Sequence, residues 1–299
     1  MNVRRPLSLA LAASASLTLA ACSSNSDNST VSGSPSKAAP SSSSLGAGVP
    51  AAIRSKGTLT VAADASYAPN EFIGPDGKTV VGVDADLAKA IGAKLGLTVT
   101  VVNATFAAII PGLSSGKYDL GMSSFTDTKD REKTVDFVTY FSAGTSFYGK
   151  AGAGAGIASL ADLCGHSVAV ETGTTQLDDA KKAGTDCTKA GKKPVKVTSY
   201  ADQNGANLAI SSGRADIGMA DSPVAAYQVN QSKGAFALVG QPYGTAPYGI
   251  ALPKGNGMAQ PVLAAVQALI SDGTYLKILT SYGVQAGAIT SPVVNGATS

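Results

Sequence analysis

Across residues 119–137 the chain reads DLGMSSFTDTKDREKTVDF, which sets Ser123, Ser124 and Thr126 just ahead of one arginine, Arg131. Other chemistry-bearing residues recur at comparable places, just past short apolar runs. Asp64 and Tyr67 follow one run and Phe106 another. Glu171 and the Gly173-Thr174-Thr175-Gln176 run follow a third, and Asp221 a fourth. The set holds three carboxylates, one guanidinium, two aromatics and several hydroxyls. It contains no Ser/His/Asp or Cys/His pairing and no clustered metal ligands. Such a composition suits recognition of a small zwitterion.

Those positions become a site only if the runs before them are strands of one kind of sheet. Residues 58–63 (TLTVAA) alternate and read as a strand, and residues 74–77 (GPDG) have turn chemistry. A short strand is expected at 80–83. A helix is expected over 84–95, where Leu87, Ala88, Ile91 and Leu95 share one face, Asp84 is placed to cap and Gly96 to stop it. Strands at 97–102 and 118–122 flank a helix at 107–113. After the Gly/Ala run at 151–156 the pattern restarts, with strands at 166–170, 195–199 and 215–219, helices at 176–183 and from 221, and a strand at 236–239. An irregular stretch at 241–248 holds Pro242, Gly244 and Pro247. A strand at 249–252 and helices near 259–270 and 275–281 follow. This alternation predicts two α/β lobes with mostly parallel sheets. In open parallel sheets ligands sit beyond the C-terminal strand ends, where the chemistry-bearing residues fall.

Composition narrows the class. The 299 residues carry 23 Lys and Arg against 20 Asp and Glu, one His and three Cys. A net charge of +3 without a basic block argues against a nucleic-acid partner. One His and three Cys leave little for zinc. Residues 1–21 read as a signal peptide: Arg4 and Arg5 precede a short uncharged apolar run. The sequence Leu19-Ala20-Ala21-Cys22 resembles a bacterial lipobox, so Cys22 is the expected lipidation site. Removing that leader leaves 21 basic against 20 acidic residues. Residues 22–50, rich in Ser, Asn, Gly, Pro and Ala, read as a disordered tether. Outside the cytoplasm the remaining pair, Cys164 and Cys187, is expected to form a disulfide, the alternative being two buried thiols.

The stretch 64–72 (DASYAPNEF), Gly82-Val83-Asp84 ahead of a helix, Ile110-Pro111-Gly112-Leu113 and the 119–137 run together resemble the polar amino-acid-binding proteins of bacterial ABC importers, the family 3 extracellular solute-binding proteins. The residues 170–176 (VETGTTQ) add to the likeness, which covers roughly 51–285. It implies a two-lobed, periplasmic-binding-protein-like (type II) clamshell of mostly parallel sheets flanked by helices. Residues 51–146 and 246–290 would form lobe 1, residues 147–245 lobe 2, and residues 291–299 a C-terminal tail. The resemblance implies that Arg131 grips an α-carboxylate with Thr126 and the backbone of Thr175, since a guanidinium fork matches a carboxylate. Asp221 would take the α-ammonium, helped by the carbonyl of Ser124. Tyr67 and Phe106 would sandwich the aliphatic part, and Asp64 would meet the distal end.

Plainer roles remain open at this level. Arg131 is equally at home on a solvated helix, Asp221 as a helix cap, and Tyr67 and Phe106 in a core. Ser123 suits close packing, Glu171 a solvated lip, and His166 a structural place. The ligand class follows from charge: the set offers no second cation for an acidic side chain, while Asp64 suits a basic amino acid (Arg, Lys, ornithine or His), with Gln as the alternative. Asn70 stands where many relatives carry an aromatic, which keeps other amino-acid derivatives open. The expected activity is capture by domain closure, with crossings near 144–156 and 243–249 as hinges, followed by delivery to a membrane permease with a separate ATPase subunit. No cofactor or metal is implied, and a lipid-anchored monomer outside the cytoplasm is expected. The rival is a dehydratase of the same fold acting on prephenate-like acids, with Asp64 or Glu171 as general acid.

Overall fold

A computed structural model describes residues 45–298. Three parallel strands, β1 (Thr58–Ala63), β5 (Thr98–Asn103) and β6 (Leu120–Gly121), form one half of a large sheet. Three more, β8 (Ser167–Glu171), β9 (Lys196–Tyr200) and β10 (Ile217–Asp221), form the other half. Two long antiparallel strands, β7 (Val135–Lys150) and β11 (Phe236–Pro253), run through both halves and join them. The resulting order is β5-β1-β6-β11-β7-β10-β8-β9. A small antiparallel sheet of β2 (Ser66–Tyr67), β3 (Glu71–Ile73) and β4 (Val80–Val81) stands beside it, pairing Tyr67 with Glu71.

Each half buries its own core against helices. In the first, Leu59 and Val61 of β1 pack with Leu87 and Ile91 of α2 (Val83–Leu95), Val262 and Leu269 of α7 (Ala259–Ser271) and Leu279 of α8 (Thr274–Ser281). In the second, Val168 and Val170 of β8 pack with Leu177 and Ala180 of α4 (Thr175–Lys189) and with Met219. Helices α3 (Phe106–Ser114), α5 (Gln203–Ser211) and α6 (Ser222–Gln231) follow β5, β9 and β10. The parallel strands are joined through helices, as parallel strands require. Cys164 and Cys187 form a disulfide with Cα atoms 5.5 Å apart, tying the start of the second half to α4.

Four expectations need correction. The residues 241–248 are not a loop; they lie within β11, which accommodates Pro242 and Pro247 by register shifts against β7. Asp84 does not cap α2: the cap position is Gly82, and the Asp84 carboxylate is buried against Tyr140 and Ser124. Gly82 holds φ at 119°, and a Cβ there would stand 2.3 Å from the Asn70 carbonyl oxygen, so only glycine fits. The tether does not extend to residue 50. Val49 is buried in the first core and Leu45 packs on it, in a short helix-and-turn that leads into α1 (Ala51–Lys56). Finally, residues 291–298 are not a free tail: Val294 bridges to Val138 on the edge of β7. Cys22 and the signal segment lie outside the described residues.

Candidate functional site

The C-terminal ends of β1, β6, β8 and β10 meet at a narrow cleft between the halves. Asp64, Tyr67, Phe106, Ser123, Ser124, Thr126, Arg131, Glu171, Thr175 and Asp221, drawn from both halves, all line it. Three further residues, Glu71, Thr174 and Gln176, complete the wall. The run at 173–176 pointed to the latter two. Glu71 was hidden because β3 is too short to show a period, and only its register opposite Tyr67 reveals it.

Arg131 sits on a single 3₁₀ turn (Arg131–Lys133), not on a solvated helix. Its Nη1 donates to the Thr126 carbonyl at 2.7 Å and its Nη2 to the Gly173 carbonyl at 3.0 Å, one from each half. Its guanidinium carbon lies 5.4 Å from the ring centroids of both Phe106 and Phe125, which stack on each other. Cation–π contact and two carbonyls thus fix a five-donor fork while leaving donors free for an anion. Nearby, Thr174 caps α4: its hydroxyl accepts from Leu177 N and donates to the Glu171 carbonyl. The N-terminus of that helix, with Thr175 as its first residue, faces the same cleft.

Asp221 stands at the cap position of α6 yet makes no side-chain cap hydrogen bond. Instead its Oδ1 accepts from Gln176 Nε2 at 2.8 Å, and Gln176 is steadied by donating to Thr145 Oγ1. The Asp221 backbone N–H donates to the Tyr67 hydroxyl at 2.9 Å, a bond across the cleft. Tyr67 is therefore both packed and positioned. Burial lifts Asp221 to about 6, against the pull of its hydrogen bonds and of Arg131.

Opposite lies a group of buried acids. Asp64 accepts from the Ser66 hydroxyl at 2.6 Å and from Phe106 N at 2.9 Å, while its own N–H donates to Ser123 Oγ. Ser123 and Ser124 donate their hydroxyls to the two oxygens of Glu71. Ser123 is thus a hydrogen-bonding residue, beyond any role in packing. Ser124 holds φ at +50°, a costly conformation for serine, secured by the bond from its N–H to Asp84. Glu171 is buried, and its Oε1 has no hydrogen-bond partner among the described residues. Burial, then the neighbouring Asp64, pushes it up to about 10. Burial also raises Asp64, and raises Glu71 strongly. Asn70 does not enter the cleft; its amide donates to Ser124 Oγ beneath the wall. His166 is not among the lining residues.

The wall thus offers the Arg131 fork with spare donors, the Asp221 carboxylate, the Tyr67 and Phe106 rings, and a group of under-neutralised acids. It carries four carboxyl groups and one guanidinium. Burying such an excess is unfavourable unless protons or a cation supply the missing charge.

Known proteins share this architecture. An ancestral arginine-binding protein solved with arginine bound superposes with a TM-score of 0.70 at 38% identity, over 76% of this chain and 98% of that one. An ancestral amino-acid-binding protein described as a precursor of cyclohexadienyl dehydratase gives 0.69 at 34% identity, over 77% and 97%. In sequence, an arginine-binding protein of Corynebacterium glutamicum is 33% identical over 248 residues, 83% of this chain and 81% of its own length. Residues 59–285, which carry every residue lining the cleft, match the bacterial extracellular solute-binding proteins, family 3, and the chain belongs to that family.

Proposed function

We propose that the protein captures a basic amino acid outside the cytoplasm and presents it to an ABC importer's permease, the ATPase being a separate subunit. The observation that carries the ligand class is the surplus of buried carboxyl groups at the cleft end defined by Asp64, Glu71 and Glu171. A guanidinium or ammonium side chain supplies the missing positive charge there, and a glutamate ligand would add to the repulsion. Arg131, Thr126 and the N-terminus of α4 take the α-carboxylate. Asp221 takes the α-ammonium, with the Ser124 carbonyl beside it. Tyr67 and Phe106 hold the aliphatic stem.

Closure follows from the distribution of these groups. Asp64, Tyr67, Phe106, Ser123, Ser124 and Arg131 come from the half of β1, β5 and β6. Glu171, Thr175 and Asp221 come from the half of β8 and β10. A ligand touching both sets binds the closed form more tightly than the open form, which drives the population toward closure. Residues 51–146 with 246–290, and 147–245, are the units that move, and the middles of β7 and β11 the hinge. At Gly144, in the crossing, a Cβ would lie 2.7 Å from the Tyr243 carbonyl oxygen. Lipidation at Cys22 would keep the protein at the membrane. The reading is binding without turnover: a prephenate-like acid would bring further negative charge to an already acidic wall.

Calorimetric titration with arginine, lysine, ornithine, histidine, glutamine and glutamate tests this. Basic amino acids should bind best and glutamate least. Arg131→Ala should weaken arginine by roughly 3 kcal/mol, the scale of leaving a buried charge unpaired. Glutamate binding as tightly as arginine, or unchanged affinity in that variant, overturns the proposal.

A further inference from the structure

The family match ends at residue 285, yet the described chain continues past it along the outer edge of the first half. There β7 pairs with β11 on one side only, because β10 joins β7 further along, in the other half. The free edge is covered by residues 293–295. Thr139 N donates to the Val293 carbonyl at 2.9 Å. Asn295 N donates to the Phe137 carbonyl at 3.0 Å, and Asn295 Oδ1 accepts from Phe137 N at 2.8 Å. Covering an open strand edge is a stabilising device in itself.

The segment then leaves the strand and does something that edge protection does not require. Gly296 N donates to Asp127 Oδ2 at 2.7 Å, and Ala297 N donates to Glu132 Oε1 at 3.2 Å. Asp127 and Glu132 bracket Arg131 on its loop. Asp127 is buried, and its other oxygen, Oδ1, has no hydrogen-bond partner among the described residues. Gly296 holds a restricted place: a Cβ there would come within 2.7 Å of Val293 Cγ2 and 2.9 Å of Thr139 Cγ2. Within the loop Arg131 is held at its backbone by Thr128 Oγ1 and at its guanidinium by carbonyls and rings. The strap ties Asp127 and Glu132 of this loop to the rigid edge of β7.

We propose that residues 293–297 are a positioning strap for Arg131, so that affinity for the ligand's carboxylate depends on a segment beyond the family's matched region. The inference rests on the reading that Arg131 grips that carboxylate. A guanidinium fork is productive only within a fraction of an ångström of its partner, so loosening its loop weakens carboxylate binding selectively.

The test compares arginine with L-argininamide, which lacks the negative charge, in the full chain and in Asn295→Ala. Arginine should weaken about tenfold and argininamide less than twofold. Amide exchange at 129–133 in the ligand-free variant should quicken, while exchange in α4 stays unchanged. In an Arg131→Ala background Asn295→Ala should have no further effect on arginine. Equal weakening of both ligands, no weakening, or unaltered exchange at 129–133 overturns the strap. If Arg131→Ala itself leaves the arginine-to-argininamide ratio unchanged, the carboxylate grip fails first and the strap's role falls with it.

Discussion

Two buried acids, one in each half, differ in how they are neutralised, and only one of them lines the cleft. Asp84 is fully wired: its carboxylate accepts from the Tyr140 hydroxyl at 2.7 Å and from Ser124 N at 2.9 Å, and burial lifts it only to about 6 because those donors pull it down. Glu171 keeps an oxygen with no partner among the described residues, and burial pushes it to about 10, with Asp64, Asp202 and Asp221 adding repulsion. Similar burial therefore carries two meanings. A satisfied buried acid belongs to the scaffold, where it sets the loop that carries Ser124. An unsatisfied one facing a cleft stores unfavourable energy that a cation of the right shape can release. If this contrast holds, substitution at Asp84 should act on folding and substitution at Glu171 on binding.

The largest effect is expected at Asp84. Replacing it with Ala strands the Tyr140 hydroxyl and the Ser124 N–H and removes the bond that secures Ser124 at positive φ. A loss of about 3–5 kcal/mol in urea unfolding is expected from breaking a buried network of this kind. A loss under 1 kcal/mol would erase the distinction from Glu171.

Glu171→Gln should do the reverse. The amide retains shape and brings no charge, so the ligand-free protein at pH 8 should keep its Tm or gain a few degrees. Arginine affinity should fall by about 1.5–3 kcal/mol, the worth of a hydrogen bond to a charged group. Parallel thermal melts and titrations check both halves of the statement. A lowered Tm with unchanged affinity would place Glu171 with the scaffold instead.

Much of this was readable from residue types, and what was not has definite causes. The strand-end residues could be read because a parallel strand followed by a helix leaves a local signature, and the chemistry falls in the turn between. Strand β7 was not visible. Its middle is buried on both faces and interrupted by Ala143 and Gly144, so it shows neither alternation nor a uniform apolar run. The residues at 241–248 read as irregular because prolines speak against strands, and the register shifts that absorb them depend on a partner about a hundred residues away. Asp84 looked like a cap because first-turn aspartates are common there; only Tyr140, contributed by the unseen strand, redirects it. Glu71 belonged to a hairpin too short for periodicity. For Asp84 and for residues 241–248 the missing information was a long-range partner; for Glu71 it was a strand too short to show a period.

The smallest expected effect, measured per pH unit, concerns the proton that Glu171 holds. Its folded pKa lies above the ordinary glutamate value, so the ligand-free fold binds a proton that the unfolded chain releases from about pH 4.5 upward. The stability this group contributes is complete below that pH and is lost as pH rises toward 10. A cationic side chain docking beside Asp64 and Glu171 favours the ionised form and expels the proton. Arginine affinity should therefore rise with pH between about 6 and 9, by at most tenfold, about 1.4 kcal/mol, per unit. Calorimetry in buffers of different ionisation enthalpy should detect up to one proton released per arginine bound. The same experiment on Glu171→Gln separates this group from Asp221, which burial lifts to about 6 and which the proposal assigns to the α-ammonium. The slope above pH 7 should vanish in the variant while any dependence near 6 persists. A slope that survives intact would mean that the expelled proton comes from Glu71 or Asp64, moving the ligand's positive charge toward the β3 side of the cleft.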